Sequence, residues 1–202
     1  MRSDMQPLGS RRFLVVSHRT PTDGDFSLND LPGSGGRVDV LARCVSSALL
    51  VSNAIRKDAS IAIYFGSGTV GGRSVIISGG SVKYLNPDER STAALLRNAL
   101  VKARGGGEGE ASPGISYSER TLPELLSIMA SGCNVHLLEE DGRMAVGLEQ
   151  PSLFVLGDSL DLSREEADQV EAFSPRHTSI STISQQSDQC IVIVNWLLDN
   201  GH

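Results

Sequence analysis

A short run of charged residues behind a glycine-rich turn holds the first chemical possibility in the sequence. In NDLPGSGGRVD (29–39), Gly33, Gly35 and Gly36 lead into Arg37 and Asp39, and Arg43 follows four residues after Asp39. Such a turn at a helix start leaves backbone amides free for an anion, and a guanidinium beside them can grip phosphate or carbonyl oxygens. Asp39 is then placed to accept a proton or to orient a neighbour. The plainer alternative is an i, i+4 ion pair between Asp39 and Arg43, worth about 0.2–0.5 kcal/mol. The turn is not a nucleotide fingerprint, because GSGGR lacks the G-x-G-x-x-G spacing and no G-K-[ST] follows.

A second candidate lies in the C-terminal half. FVLGD (154–158) reads as a buried strand ending in Gly-Asp, which puts backbone amides at the carboxyl edge of a sheet, where α/β proteins bind ligands. Gly157 would let a flat group approach, and Asp158 could accept from an amine or hydroxyl; a simple strand-to-loop turn is the competing reading. The polar loop in SISTISQQSDQC (179–190) could line the same edge. Other chemistries find little support. No G-x-S-x-G elbow accompanies the histidines, and His18, His136, His177 and His202 have no evident partners in the sequence. Cys44, Cys133 and Cys190 are far apart without metal-ligand spacing, so reduced thiols and no metal are expected.

These residues must be positioned by an alternation of strands and helices. RRFLVVSHR (11–19) reads as a strand, and 37–55 as a helix with Val38, Leu41, Val45, Leu49, Ser52 and Ile55 at helical spacing. Strands are expected at 60–66 and 73–79, a helix at 86–104, and a flexible linker at the glycine-rich 105–114. A second series follows: helix 121–131, strands 134–140 and 152–158, helix 163–173, strand 176–181 and helix 187–200. Ser163 and Glu166 form a capping-box pattern at the start of the 163–173 helix. The alternation predicts an α/β domain with a mostly parallel sheet covered by helices. The last helix is apolar nearly all round, with Trp196 and Ile193 widening its stripe. Such a helix is buried on two sides, either within the core or against a second subunit.

Length and charge narrow the class. A chain of 202 residues with 40% hydrophobic content suits one globular domain. No stretch approaches a membrane span and the start lacks a signal-peptide core, so a cytoplasmic protein is expected. With 18 Lys+Arg against 24 Asp+Glu, the net charge of −6 argues against broad, non-specific nucleic-acid binding.

Taken together, residues 31–58 (LPGSGGRVDVLARCVSSALLVSNAIRKD), NPDER, SPGI, FVLGD and SDQCIVIVNWLLD resemble the archaeal tRNA pseudouridine-54 N1-methyltransferases of the SPOUT superfamily. The resemblance runs in order over nearly the whole chain. It implies a single α/β domain over 1–202 whose C-terminal part, about 132–202, is tied in a deep trefoil knot, with helices on both sheet faces. It also implies S-adenosylmethionine (SAM) as cofactor, held by Leu138, Gly157, the loop Ile180, Ser181, Thr182, Ile183, Ser184 and Gln185, and Cys190. A homodimer through the knot and the last helix is implied, with tRNA as partner. Arg37 and Asp39 would then be catalytic, and Arg37, Arg43, Arg56 and Arg90 would meet the RNA. Nep-type methyltransferases of ribosomal RNA are the nearest alternative, and a SAM- and RNA-binding module without catalysis is another.

Overall fold

The computed structural model describes residues 7–66 and 72–201; His202 lies outside them. Its first strand, β1 (Arg11–Ser17), is almost wholly buried because it runs through the middle of the main sheet. Alternate side chains serve opposite faces, as the twofold repeat of a strand requires. Phe13 and Val15 enter one core cluster, while Leu14 and Val16 enter the other. After the glycine turn comes α1 (Val38–Leu49), followed by the small hairpin of β2 (Leu50–Val51) and β3 (Ala54–Ile55). The helix expected to reach residue 55 therefore stops at Leu49. Leu50 turns to extended backbone, and the turn at Ser52-Asn53 gives the chain a hairpin that the apolar spacing did not reveal.

Next come β4 (Ala59–Phe65), β5 (Arg73–Ser78) and α2 (Glu89–Lys102), whose first turn is capped by Asp88. The expected flexible linker is instead ordered: β6 (Glu108–Ser112) pairs antiparallel with β7 (Ile115–Glu119) across a turn at Pro113-Gly114. Glycine content signalled flexibility, but pairing satisfies the backbone and fixes the segment. The second series follows the expected order: α3 (Leu122–Met129), β8 (Asn134–Met144), β9 (Ser152–Gly157), α4 (Arg164–Glu171), β10 (Arg176–Ser179) and α5 (Ser187–Asn200). The capping box of Ser163 and Glu166 at α4 is present as the spacing predicts.

The eight-stranded sheet has the order β10-β8-β9-β1-β4-β5-β7-β6. Its first five strands are mutually parallel and the remaining three are joined antiparallel. Helices α1, α2 and α5 cover one face, with Leu41, Val45, Leu96, Ile191 and Val194 in the cluster beneath them. Helices α3 and α4 cover the other through Leu122, Leu126, Met129 and Val170. Burial on both faces explains why the parallel strands are continuous apolar runs.

A break in register shapes the carboxyl edge of the parallel strands. In the β8–β10 pair the register jumps from His177 opposite Leu137 to Thr178 opposite Arg143, so residues 138–142 leave the ladder. At the other end of α5, the buried Arg11 guanidinium bonds Asn195 Oδ1 at 2.8 Å and Asp199 at 3.0 Å, tying the last helix to the start of β1. The glycine turn before α1 is equally constrained: Gly36 has φ of +55°, and a Cβ there would collide with the Arg19 carbonyl. Gly36→Ala is expected to destabilise the fold by about 2 kcal/mol or more, lowering the thermal midpoint by roughly 4–8 °C. Gly105→Ala, in open space, should leave the midpoint within about 1 °C in the same calorimetric comparison.

Candidate active site

At the carboxyl edge of β8, β9 and β10 the structure encloses a cavity of about 660 Å³, a size suited to a small organic ligand. Its walls are the 138–140 segment released by the register jump, the β9 end from Leu156 to Asp161, and the chain from Ser179 to Cys190. Arg37 and Val40, from the start of α1, close it on the remaining side. Gly157 is required where it stands: a Cβ would strike the carbonyl oxygen of Leu160, because the loop folds back over it.

The structure brings Leu138, Gly157, Ile180, Ser181, Ile183, Ser184, Gln185, Cys190 and Arg37 to this one cavity, while Thr182 is exposed and outside its lining. The Cys190 thiol is pushed up to about 11 by burial, helped by the nearby Asp188 carboxylate, so it serves as wall and not as nucleophile.

Beside the cavity lies an ionic network on the starts of three helices. Arg37 occupies the left-handed region, with φ of 71°, as N-cap of α1, and that turn points its guanidinium back over the helix start. Its Nε donates to Asp39 Oδ1 at 3.1 Å and its Nη2 to Asp39 Oδ2 at 3.2 Å. Arg43 Nη1 donates to Asp39 Oδ2 at 3.1 Å and to Glu89 Oε1 at 3.4 Å, and Arg43 Nε lies 3.5 Å from Asp188. Burial raises the Asp39 pKa, but the bonds from Arg37 and Arg43 outweigh it and hold the carboxyl below its ordinary 3.8. A carboxylate so stabilised is a weak proton acceptor, and its geometry instead locks Arg37 in place. The Asp39–Arg43 ion pair is thus present and is part of a larger network that includes Arg37.

Other expected contacts are placed elsewhere. Arg43 spends its donors on three carboxylates. Arg56 forms a two-pronged pair with Asp199, about 16 Å along α5 from the cavity end. Arg90 is exposed on the first turn of α2, outside the cavity. The described histidines all have partners, contrary to the sequence expectation. His18 lies between Asp158 and Glu166, His136 bonds Thr178 Oγ1 at 2.9 Å, and His177 lies between Glu139 and Glu171. All of these contacts span 6 to 148 positions, which explains why local spacing gave no sign of them. Among the described residues no cluster of His, Cys, Asp and Glu could hold a metal ion.

Residues 10–202 match the family model of SAM-dependent RNA methyltransferases. The chain belongs to this family. It is 42% identical over 193 residues to the tRNA (pseudouridine(54)-N(1))-methyltransferase of Methanocella arvoryzae, covering 94% of this chain and 98% of that one. It is 39% identical over 196 residues to the protein of that name from Haloferax volcanii, covering 95% and 97%. Among solved structures, Archaeoglobus fulgidus Nep1 bound to S-adenosylhomocysteine shares the fold, with a TM-score of 0.61 over 97% of this chain and 100% of that one at 14% identity.

In this methyltransferase the Asp39 network makes a pH prediction. A carboxylate with a depressed folded value contributes stability that is present above the unfolded value and lost as pH falls through the folded one. Unfolding free energy of the wild type should therefore decline as pH drops below about 3.8, and Asp39→Asn should show a shallower decline. Urea titrations of both proteins between about pH 5 and pH 2 measure the difference, and equal slopes would contradict the assignment.

Proposed function

We propose that this enzyme transfers a methyl group from SAM to N1 of pseudouridine 54 in the T-loop of tRNA. The observation that carries the reading is 42% and 39% identity, over 94% and 95% of the chain, to tRNA (pseudouridine(54)-N(1))-methyltransferases, in a chain whose cavity gathers most of the motif residues. The cavity fits the cofactor: its volume suits a nucleoside, and the loops on either side of Gly157 offer backbone groups to an adenine and a ribose. Leu138, Gly157, Ile180, Ser181, Ile183, Ser184, Gln185 and Cys190 are the residues assigned to hold it, with Thr182 outside the lining. Bound there, SAM supplies an electrophilic methyl group on a positively charged sulfur.

What the chain must add is position and charge. Pseudouridine is joined to ribose through carbon, so its N1 carries a proton that uridine lacks. As that proton leaves to solvent, negative charge spreads from N1 onto the uracil oxygens. Arg37 is assigned to those oxygens, since it lines the cavity and its side chain is 39% exposed. Two hydrogen bonds from Arg37 to Asp39 fix its plane, so little reorganisation accompanies the charge shift. Arg43 positions Asp39 in turn, and Arg90 remains available at the surface for a phosphate. Incubating the enzyme with SAM and two tRNA transcripts, bearing pseudouridine or uridine at position 54, tests this directly. Methylation of the first alone is expected. Arg37→Ala should lower the rate about 10²-fold while S-adenosylhomocysteine binding stays within a few-fold. Equal methylation of both transcripts would overturn the reading.

The C-terminal segment is assigned a knotted path within the single domain. Supporting it, Ala145 N donates to Ser179 O at 2.7 Å, Gly142 packs tightly on the Thr178–Ser179 backbone, and the Ser187 hydroxyl bonds the Asp158 carbonyl. The exit from β10 is thereby enclosed by two other segments. A homodimer is assigned to the outer face of α5, where Val192 and Trp196 are 52% and 56% exposed opposite the side packed on α1. Apolar side chains so placed gain by burial against a second copy. Trp196→Glu should convert a dimer to a monomer in sedimentation equilibrium, whereas a monomeric wild type would refute the assignment.

A further inference from the structure

One buried ionic cluster beside the cavity takes no part in the chemistry above. His18 directly follows β1 and stands between acids from two other elements. Its Nδ1 is 3.2 Å from Asp158 Oδ1, just past the end of β9, and its Nε2 is 2.9 Å from Glu166 Oε2, in the first turn of α4. The His18 backbone amide also donates to Asp158 Oδ2 at 3.1 Å. The Asp158 side chain has no solvent exposure, and those of His18 and Glu166 have 18% and 17%.

Ionised carboxylates only accept, so satisfying both of them demands a proton on each ring nitrogen. His18 therefore bridges the two acids best in its protonated form. Burial works against that charge, but the hydrogen bonds to Glu166 and then Asp158 outweigh it and raise His18 above its ordinary 6.5. Glu166 shows the counterpart: burial raises it, and the bonds from His18 and Ser163 bring it below its ordinary value. Two other titratable side chains face these acids: Tyr64 of β4 faces Glu165 and Glu166, and Arg37 faces Asp158.

Asp158 is what links this cluster to the cavity. Its Oδ1 also accepts the amides of Ser159 at 2.6 Å and Leu160 at 3.1 Å, folding the loop over Gly157. Its carbonyl takes the Ser187 hydroxyl from the opposite wall. Residues 157–161 and Ser187 line the cavity, while His18 does not. We propose that His18 is a positioning residue for methyl transfer, which by bridging Asp158 and Glu166 holds the 157–161 loop in the shape that receives the cofactor. This rests on the reading of the cavity as the SAM site.

The consequence is a pH dependence with a defined sign. At low pH the imidazolium bridge is complete; as pH rises through the raised value, one ring nitrogen loses its proton and its lone pair faces a carboxylate oxygen. The loop then loosens and cofactor affinity falls. Calorimetric titration of the full chain with S-adenosylhomocysteine, from about pH 6 to about pH 9, reads this out. Wild-type affinity should fall roughly five- to tenfold relative to His18→Gln, the size of one lost charge-assisted hydrogen bond. The comparison cancels any titration of the ligand itself. Glu166→Gln retains a residue suited to cap α4 and should move the wild-type midpoint to lower pH. Parallel curves for wild type and His18→Gln, or an unmoved midpoint in Glu166→Gln, would overturn the positioning role. Failure of the wild type to bind S-adenosylhomocysteine at any pH would instead overturn the cofactor reading, and the role of His18 with it.

Discussion

A buried carboxylate must be satisfied by the protein, because water cannot reach it, and in this molecule that demand falls on Asp158. The residue sits just beyond a strand whose glycine allows the chain to double back. Its side chain gathers the amides of His18, Ser159 and Leu160 and the ring of His18, while its carbonyl holds Ser187. Three parts of the chain, 140 and 29 positions apart in sequence, meet at this one group. The cavity beside it is shaped by that meeting: remove the carboxylate and the loop over Gly157 has no reason to fold back.

The second wall is organised by the same economy. Arg43 joins α1, α2 and the start of α5 by hydrogen-bonding Asp39 and Glu89 and pairing ionically with Asp188. Breaking such a partly buried network leaves charges unpaired, which costs more than the net gain of forming it. Its structural product is the fixed plane of Arg37. For the proposed role of Arg37, a guanidinium oriented in advance is worth more in a confined site than one that must be ordered during reaction. The left-handed backbone at Arg37 belongs to this arrangement, and the glycines before it are there because Gly36 passes against the Arg19 carbonyl.

Much of this was legible in the residues. Apolar runs bounded by glycine located the parallel strands, and FVLGD marked the sheet edge that holds the cavity. The Ser163–Glu166 spacing announced the cap of α4. What local pattern could not carry was pairing across the chain. The His18 bridge joins residues 140 and 148 positions apart, and the register jump that frees Leu138 depends on where β10 happens to lie. Composition misled in two places for a physical reason: Gly-rich 105–114 and the tail of the 37–55 helix both found strand partners that spacing does not encode. Arg56 is another long-range pairing that spacing does not encode: its guanidinium bonds Asp199, 143 positions away.

The proposed function turns on which nucleotide receives the methyl group. Mass spectrometry of tRNA and ribosomal RNA from a strain lacking this gene decides it most directly. Loss of 1-methylpseudouridine from position 54 of the T-loop, with ribosomal RNA unchanged, is the predicted result. An intact T-loop beside an undermethylated ribosomal pseudouridine would contradict it.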